Sequence, residues 1–501
     1  MQRQLAIDSL VRLSAVGSSA VIGLIASVLY ARMSGASLYG EFVHLFATVQ
    51  LVGQLSHVAF SQAAVRVVPP LLRNRDGSRG ESLTTAAWLT ALGVLLLVTG
   101  TWYALAFWTN SATGILSDSA LELIPLTIAT GAVTALSAPF RIRSQVRQYS
   151  VIAEVIVPLL RLVIFLATVR HLGPYAALRV SAYISFIVGL LVLFVSAHYA
   201  RVFAPCRGVS LDDYSFFIRT APPMFMLGAI AVLQTRLDVV ILGTLASASD
   251  VAVYNIARRI AQIPLMALMA FNTVFAPLIS AMWSTGDTAA LTETYRVGTR
   301  WVLALAGLVT IHLIVFGEAL LSIYGSSFAS NPNTTVLTVV AAGHLFSAAV
   351  GPVGYLLAMT GKPYLNLICD LGGLILLIAL SLVLVPLIDA LGAALASFAF
   401  FVVSNGLRVV GLAATRNITP FDRFYAKTLV SLGVVACVAG LVRMLLDPSG
   451  LLPLLFSLFL GAAAFLVTYG RLGPTAWEKR NLQERAQWLA RLLRIAGNDR
   501  P

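Results

Sequence analysis

The chain has 501 residues, 58% of them hydrophobic and 11% charged, with mean hydropathy +0.88, net charge +13 and a pI near 10.0. A soluble domain carries about a quarter charged residues, so an aqueous globular fold is excluded over the whole length. The basic residues flank apolar runs, where they orient helices and meet anionic lipid, and no basic domain stands apart from them, which argues against a nucleic-acid partner.

A transmembrane helix takes about 20 apolar residues and a barrel strand about 10 in strict alternation. The runs here are long and apolar on all sides, so helices are expected. In chain order they cover 13–33, 42–64, 83–108, 121–140, 151–169 and 175–197, then 220–245, 253–282, 301–324, 336–359, 367–386 and 391–414, and finally 425–446 and 451–469, about fourteen in all. The first run is too long for a signal-peptide core and leads into further spans, so insertion through the first helix is expected. The segment 476–497 carries Leu482, Ala486, Leu489, Leu493 and Ala496 at helical spacing with Arg485, Arg491 and Arg494 around them, a basic amphipathic tail suited to the inner membrane surface.

Positive charge alternates between the gaps. With the N-terminus inside, the inner connections hold Arg3 and Arg12, the group Arg66 to Arg79, the group Arg141 to Arg147, and Arg201, Arg207 and Arg219. They also hold Arg296, Arg300, Lys362, Arg416, Arg423, Lys427 and the tail, together 25 of the 34 Lys and Arg. The gap 109–120 carries Asp118 and no Lys or Arg, and the gap 325–335 carries no charge. Both termini are therefore expected in the cytoplasm.

An internal repeat runs at an offset of six helices. The first helix exits through Gly35-Ala-Ser-Leu-Tyr39-Gly and the seventh through Ser249-Asp-Val-Ala-Val-Tyr254. The fifth is entered by Arg147-Gln-Tyr149 with Glu154 following, the eleventh by Lys362-Pro-Tyr364 with Asp370 following. The sixth opens with Leu172-Gly173-Pro-Tyr-Ala-Ala-Leu178, the twelfth with Leu391-Gly392-Ala-Ala-Leu395. An even offset gives both halves the same orientation, so the expected fold is all-α and integral to the membrane. It has two six-helix bundles, residues 1–205 and 206–418, related by a pseudo-two-fold axis along the membrane normal. Helices 13 and 14 (419–471) and the tail (472–501) follow.

Charge inside a membrane helix is costly and faces a cavity or a partner. Glu154 and Arg161 are seven residues apart around Pro158, so they are expected on one face of a kinked helix. Asp238 is within reach of Arg258 or Arg259 across a short turn, which predicts a structural salt bridge and leaves Arg236 for a cavity. Arg179 is a further intramembrane cation. A guanidinium donates paired hydrogen bonds and keeps its charge, which suits a diphosphate. Glu154 and Asp370 occupy equivalent places in the two halves. They are candidates for coupling to H+ or Na+ or for gating, or they pair with Arg147 and Lys362. Cys206, Cys369 and Cys437 lie far apart, and His57, His312 and His344 show no ligand spacing, so neither a metal nor a cofactor is expected. Gly361-Lys362 is followed by Pro363 and lacks the upstream glycine of a phosphate-binding loop.

Three stretches carry a resemblance: Arg32-Met-Ser-Gly-Ala-Ser-Leu-Tyr39-Gly-Glu-Phe42; Asp238-Val-Val-Ile-Leu-Gly243 with Val251-Ala-Val-Tyr254-Asn-Ile-Ala257-Arg258; and Tyr324-Gly-Ser-Ser-Phe328. The pattern resembles the polysaccharide-exporter branch of the multidrug/oligosaccharidyl-lipid/polysaccharide (MOP) flippase superfamily. The resemblance implies a flippase that moves undecaprenyl-diphosphate-linked oligosaccharide across the bacterial inner membrane by alternating access, with polysaccharide polymerases as partners. Arg161, Arg179 and Arg236 are the candidates for its cationic cavity. Alternatives are an ion-coupled drug or metabolite exporter of the same fold, a lipid II flippase, and a membrane-embedded oligosaccharide polymerase. The polymerase is disfavoured because such an enzyme needs a long external loop with basic or His residues.

Overall fold

The computed structural model describes residues 2–73, 77–113, 117–143, 145–199, 209–446 and 450–472, and among these no strand occurs. The helices are α1 (Gln2–Arg73), α2 (Gly77–Thr113), α3 (Ser117–Ala135), α4 (Ser137–Ile142) and α5 (Val146–Ser150). A π-helical turn (Val151–Ile156) leads into α6 (Val157–Leu172), followed by α7 (Pro174–Tyr199), α8 (Leu211–Leu245), α9 (Ala248–Ala261), α10 (Leu265–Ser284), α11 (Thr288–Val315) and α12 (Gly317–Ser322). The last five are α13 (Asn331–Ala349), α14 (Val353–Met359), α15 (Pro363–Arg416), α16 (Arg423–Leu445) and α17 (Leu451–Leu472). A chain this apolar must satisfy its backbone groups internally, and helices do so within each segment. The amphipathic tail at 476–497 and Cys206 lie outside the described residues.

Among the described residues, ten helices are long and apolar enough to cross a membrane, or eleven when α13 and α14, bent by 41°, form one span. Two of the ten far exceed a single crossing: Ser14–Leu72 has 59 residues and Pro363–Arg416 has 54. Each is interrupted. Gly35 stands at φ 76°, ψ 172° within α1, a region essentially restricted to glycine. Ile388 and Asp389 leave helical geometry within α15, Asp389 at φ 50°. The expected runs 13–33 and 42–64 flank the first break, and 367–386 and 391–414 flank the second. Past its break, α1 meets the start of α9 backbone to backbone: a Cβ on Gly40 would fall 1.6 Å from the Ala248 carbonyl oxygen.

Some helices start well before their apolar runs. Ser210 caps α8 by accepting from the Asp212 N–H at 3.2 Å, and Asp287 caps α11 by accepting from the Ala290 N–H at 2.9 Å. Arg219, Arg296 and Arg300, expected in connections, therefore lie on helices. Arg300 has a side chain only 1% exposed and pairs with Asp422, itself the N-cap of α16. The expected run 253–282 is two helices, because the chain turns at 262–264 and Pro264 has no N–H to continue the ladder.

The chain packs as two units. One comprises Met1–Ile260, Leu321–Val340 and Asn366–Ser404; the other comprises Ala261–Leu320, Ala341–Leu365 and Asn405–Pro501. The first has one core around Val68, Leu83 and Phe217 and another around Ile230, Leu374 and Phe400. The second is built around Tyr295, Leu356 and Leu412, with the Tyr295 hydroxyl donating to the Val350 carbonyl at 2.7 Å.

The break in α1 supplies a clean test. No atom lies within 4 Å of a Cβ on Gly35 or on Gly93 in α2. Gly35→Ala should therefore cost about 1–3 kcal/mol through backbone strain alone, whereas Gly93→Ala should be neutral or stabilising by up to about 1 kcal/mol. Thermal unfolding of the detergent-purified protein checks both.

Candidate functional site

Asp238 is the most constrained charge in the first unit. It lies near the end of α8, two turns before the chain reverses through Ser247 into α9, and only 5% of its surface is exposed. A buried carboxylate needs several donors. Arg258 supplies bonds of 3.0 and 2.9 Å to its two oxygens, the Tyr254 hydroxyl donates at 2.7 Å, and the Val239 N–H donates at 2.8 Å. Arg258 also donates to the Thr235 carbonyl at 3.0 Å. The same knot reaches two other helices. Tyr254 shares a 2.6 Å hydrogen bond with Ser397 on α15, and Asn255 donates to the Tyr39 hydroxyl on α1 at 3.1 Å. Close by in sequence, Ser27 and Tyr324 are hydrogen-bonded at 3.3 Å and Arg32 donates to the Ile323 carbonyl at 2.6 Å. All three stretches that carry the family resemblance thus make ties within one packed unit.

Arg259 takes no part in the pair with Asp238; it donates to the Gly23 carbonyl at 3.1 Å. Arg236 projects from α8 beside this knot with its Nε buried and without a hydrogen-bond partner among the described residues. Among the described residues, its guanidinium feels the positive charges of Arg258, Arg259 and Arg161 and the negative charge of Asp238. Arg161 comes from α6. It lies 4.6 Å from the ring centres of both Phe46 and Phe186, and its Nε donates to Ser185 at 3.4 Å. Cation–π contact on two rings holds a guanidinium in place without neutralising it. Asp238, the carboxylate whose charge acts on Arg236, is already saturated by its own donors, so positive charge predominates around Arg236.

The structure places the other candidates elsewhere. Arg179 lies over Tyr175 at 5.4 Å and beside Tyr183. Asp370 accepts from Gln234 at 2.9 Å and from Ser404 at 3.5 Å. Glu154 sits in the π turn and lines a cavity of about 410 Å3 together with Arg141, Tyr149, His57 and Thr235. Arg161 does not line that cavity. Pro158 removes the N–H that an α-helix would bring to the Glu154 carbonyl, and the widened turn before it changes the register between the two side chains. Sequence reasoning passed over Gln234, Ser397 and the Gly23 carbonyl. Gln234 is detectable as an amide two residues before Arg236, where the apolar run of the helix ends in polar residues; a backbone carbonyl leaves no trace in sequence.

Removing one partner of a buried ion pair leaves the other uncompensated, typically at about 3–5 kcal/mol. Arg258→Ala should therefore lower the melting temperature sharply, and Arg258→Ala with Asp238→Asn should recover part of the loss. Tyr39→Phe, which deletes one neutral hydrogen bond, should cost about 0.5–1.5 kcal/mol. Thermal unfolding of these variants, with Asp238→Asn alone completing the Arg258/Asp238 double-mutant cycle, measures the effects.

Comparison with known proteins converges on this architecture. A family model described as polysaccharide biosynthesis protein matches residues 5–283, and the MatE model matches 223–383. No curated protein matches the chain by sequence. Among solved structures, the lipid II flippase MurJ in an inward closed conformation aligns with TM-score 0.68 at 13% identity, over 92% of this chain and 98% of MurJ. An inward-facing multidrug resistance MATE family transporter of the MOP superfamily aligns with TM-score 0.62 at 13% identity, over 81% and 99%. The MATE transporter VcmN of Vibrio cholerae, in its bent form, aligns with TM-score 0.55 at 14% identity, over 86% and 97%. At such identities the likeness is one of fold. The family model spans more than half of the residues, and the chain belongs to the polysaccharide biosynthesis protein family, as a multi-pass membrane protein.

Proposed function

We propose that the chain flips an undecaprenyl-diphosphate-linked oligosaccharide from the cytoplasmic to the periplasmic leaflet of the bacterial inner membrane. In this reading it works by alternating access between two six-helix bundles, with both termini in the cytoplasm. The observation that carries the reading is the buried, unpartnered Nε of Arg236 amid Arg161, Arg258 and Arg259. A diphosphate offers several oxygens to such forks, and each charge-assisted bond is worth about 1.5–3 kcal/mol. An exporter of cationic drugs would have to bring like charge into this site, which disfavours that alternative. Polysaccharide polymerases, which would use the flipped lipid, are the partners this reading implies.

Proteoliposomes containing the purified chain and a fluorescent lipid-linked oligosaccharide test the proposal. Wild type should move the label to the far leaflet. Arg236→Ala should slow it by roughly 10- to 100-fold, the equivalent of losing about 1.4–2.8 kcal/mol, with unchanged yield and unfolding temperature. Arg236→Lys should keep an intermediate rate, because a point charge replaces the fork. Wild-type flipping of lipid II at an equal or greater rate in direct competition would reassign the substrate, since that lipid carries the same diphosphate under a different head group.

The orientation is checked separately. Fusions ending at residue 75 should fluoresce with green fluorescent protein and lack activity with periplasmic alkaline phosphatase. Fusions ending at residue 330 should do the reverse.

A further inference from the structure

The cavity beside Glu154 has a wall unlike that of the arginine cluster. Eleven of its sixteen lining residues are polar, and they mix acceptors, donors and groups that are both. Glu154 supplies a carboxylate, Arg141 a guanidinium, Tyr149 a phenol, and Gln54 and Gln62 two amides. Neither glutamine makes a hydrogen bond among the described residues, whereas His57 on the same wall is saturated by Ser61 at 2.9 Å and Thr134 at 2.8 Å. Side-chain amides inside a membrane protein are costly unless something pairs with them.

The ligand class follows from the donor set. A diphosphate would meet Glu154 as well as Arg141 and would leave the amide oxygens idle. An apolar drug would leave most of the wall unpaired. A polyhydroxylated ligand fits all of it, because each hydroxyl both donates and accepts. The volume, about 410 Å3, lies within the range of small-ligand sites and takes more than one sugar ring. The cavity also adjoins the cationic cluster. Thr235 closes one side, its carbonyl holds Arg258, and the next residue is Arg236.

We infer that this cavity is the glycan-reading subsite of the transporter, in which Gln54, Gln62, Tyr149 and Glu154 hydrogen-bond sugar hydroxyls while the neighbouring arginines hold the diphosphate. The assignment rests on the flippase reading and adds the selectivity that reading lacks: the arginines recognise any lipid diphosphate, and the cavity sets which head group is carried.

Two measurements test it. The first is flipping, in proteoliposomes, of two lipid diphosphates, one bearing a single N-acetylhexosamine and one bearing the full oligosaccharide purified from cells that make this chain. Arg236→Ala should slow both by similar factors. Gln62→Leu and Glu154→Gln should shift the rate ratio at least tenfold against the full oligosaccharide. Equal slowing of both lipids by Gln62→Leu and Glu154→Gln would overturn the subsite while leaving the flippase intact. The second is saturation-transfer NMR of the free oligosaccharide, released from its lipid, with the full chain in detergent. Wild type should give a signal that Gln62→Leu weakens at least fivefold and Arg236→Ala preserves. That result would keep the subsite even if no lipid were flipped, which would sink the flippase reading alone. Absence of a signal from wild type, or an equal signal from Gln62→Leu, would overturn the assignment.

Discussion

The first unit is organised by a single requirement: a carboxylate inside an apolar chain has to be saturated with donors. Asp238 meets it with Arg258, Tyr254 and a backbone N–H. None of these is interchangeable with the buried apolar residues around them, so the α8–α9 turn is fixed in register. Because Tyr254 also bonds Ser397 and Asn255 also bonds Tyr39, the same turn fixes α15 and the start of the second half of α1. Gly40 reinforces the junction from the backbone side, since its missing Cβ lets α1 lie against Ala248. The ion pair contributes little to stability over a well-packed apolar alternative. Its contribution is positional: it absorbs one arginine and leaves the neighbouring ones without that carboxylate.

Those left over are held by means that preserve their charge. Arg161 is gripped by two phenyl rings and Arg259 by a carbonyl, neither of which cancels a guanidinium. Arg236 has no such support at its Nε. Lysine would be a poor substitute at all three places. It is more strongly hydrated, shifts its protonation readily when buried, and has no planar face to stack on a ring. The chain contains three lysines, Lys362, Lys427 and Lys479, and none lies among these intramembrane candidates.

Much of this was legible in the sequence, and the exceptions have physical reasons. The helical membrane class follows from hydropathy alone, and the closeness of Asp238 to Arg258 follows from the short gap between two apolar runs. The starts of α8 and α11 were not visible, because hydropathy marks where a helix enters apolar surroundings, whereas Ser210 and Asp287 mark where its hydrogen bonds begin. That is why hydropathy puts Arg296 and Arg300 in a connection although Arg300 is buried against Asp422. The interruption at Pro264 is hidden in hydropathy because Gln262 is the one polar residue between Ile260 and Ala270. The partner of Asp370 was missed because Gln234 lies 136 residues away and carries no charge to draw attention to it.

The π turn shows how a local misfit can separate two charges on one helix. An α-helix through Pro158 would leave the Glu154 carbonyl without a donor and keep Glu154 and Arg161 on one face, where they would neutralise each other. The wide turn relieves the first problem and abolishes the second, so a carboxylate and a guanidinium from one helix serve different surroundings: Glu154 a hydroxyl-rich cavity, Arg161 the cationic cluster. Separating the two charges has an electrostatic consequence. In the proposed reading, a ligand with an anionic end and a neutral polyhydroxyl end meets more positive charge beside Arg236 than in the cavity, where Glu154 offsets Arg141. Its orientation is therefore set by charge before any single hydrogen bond forms.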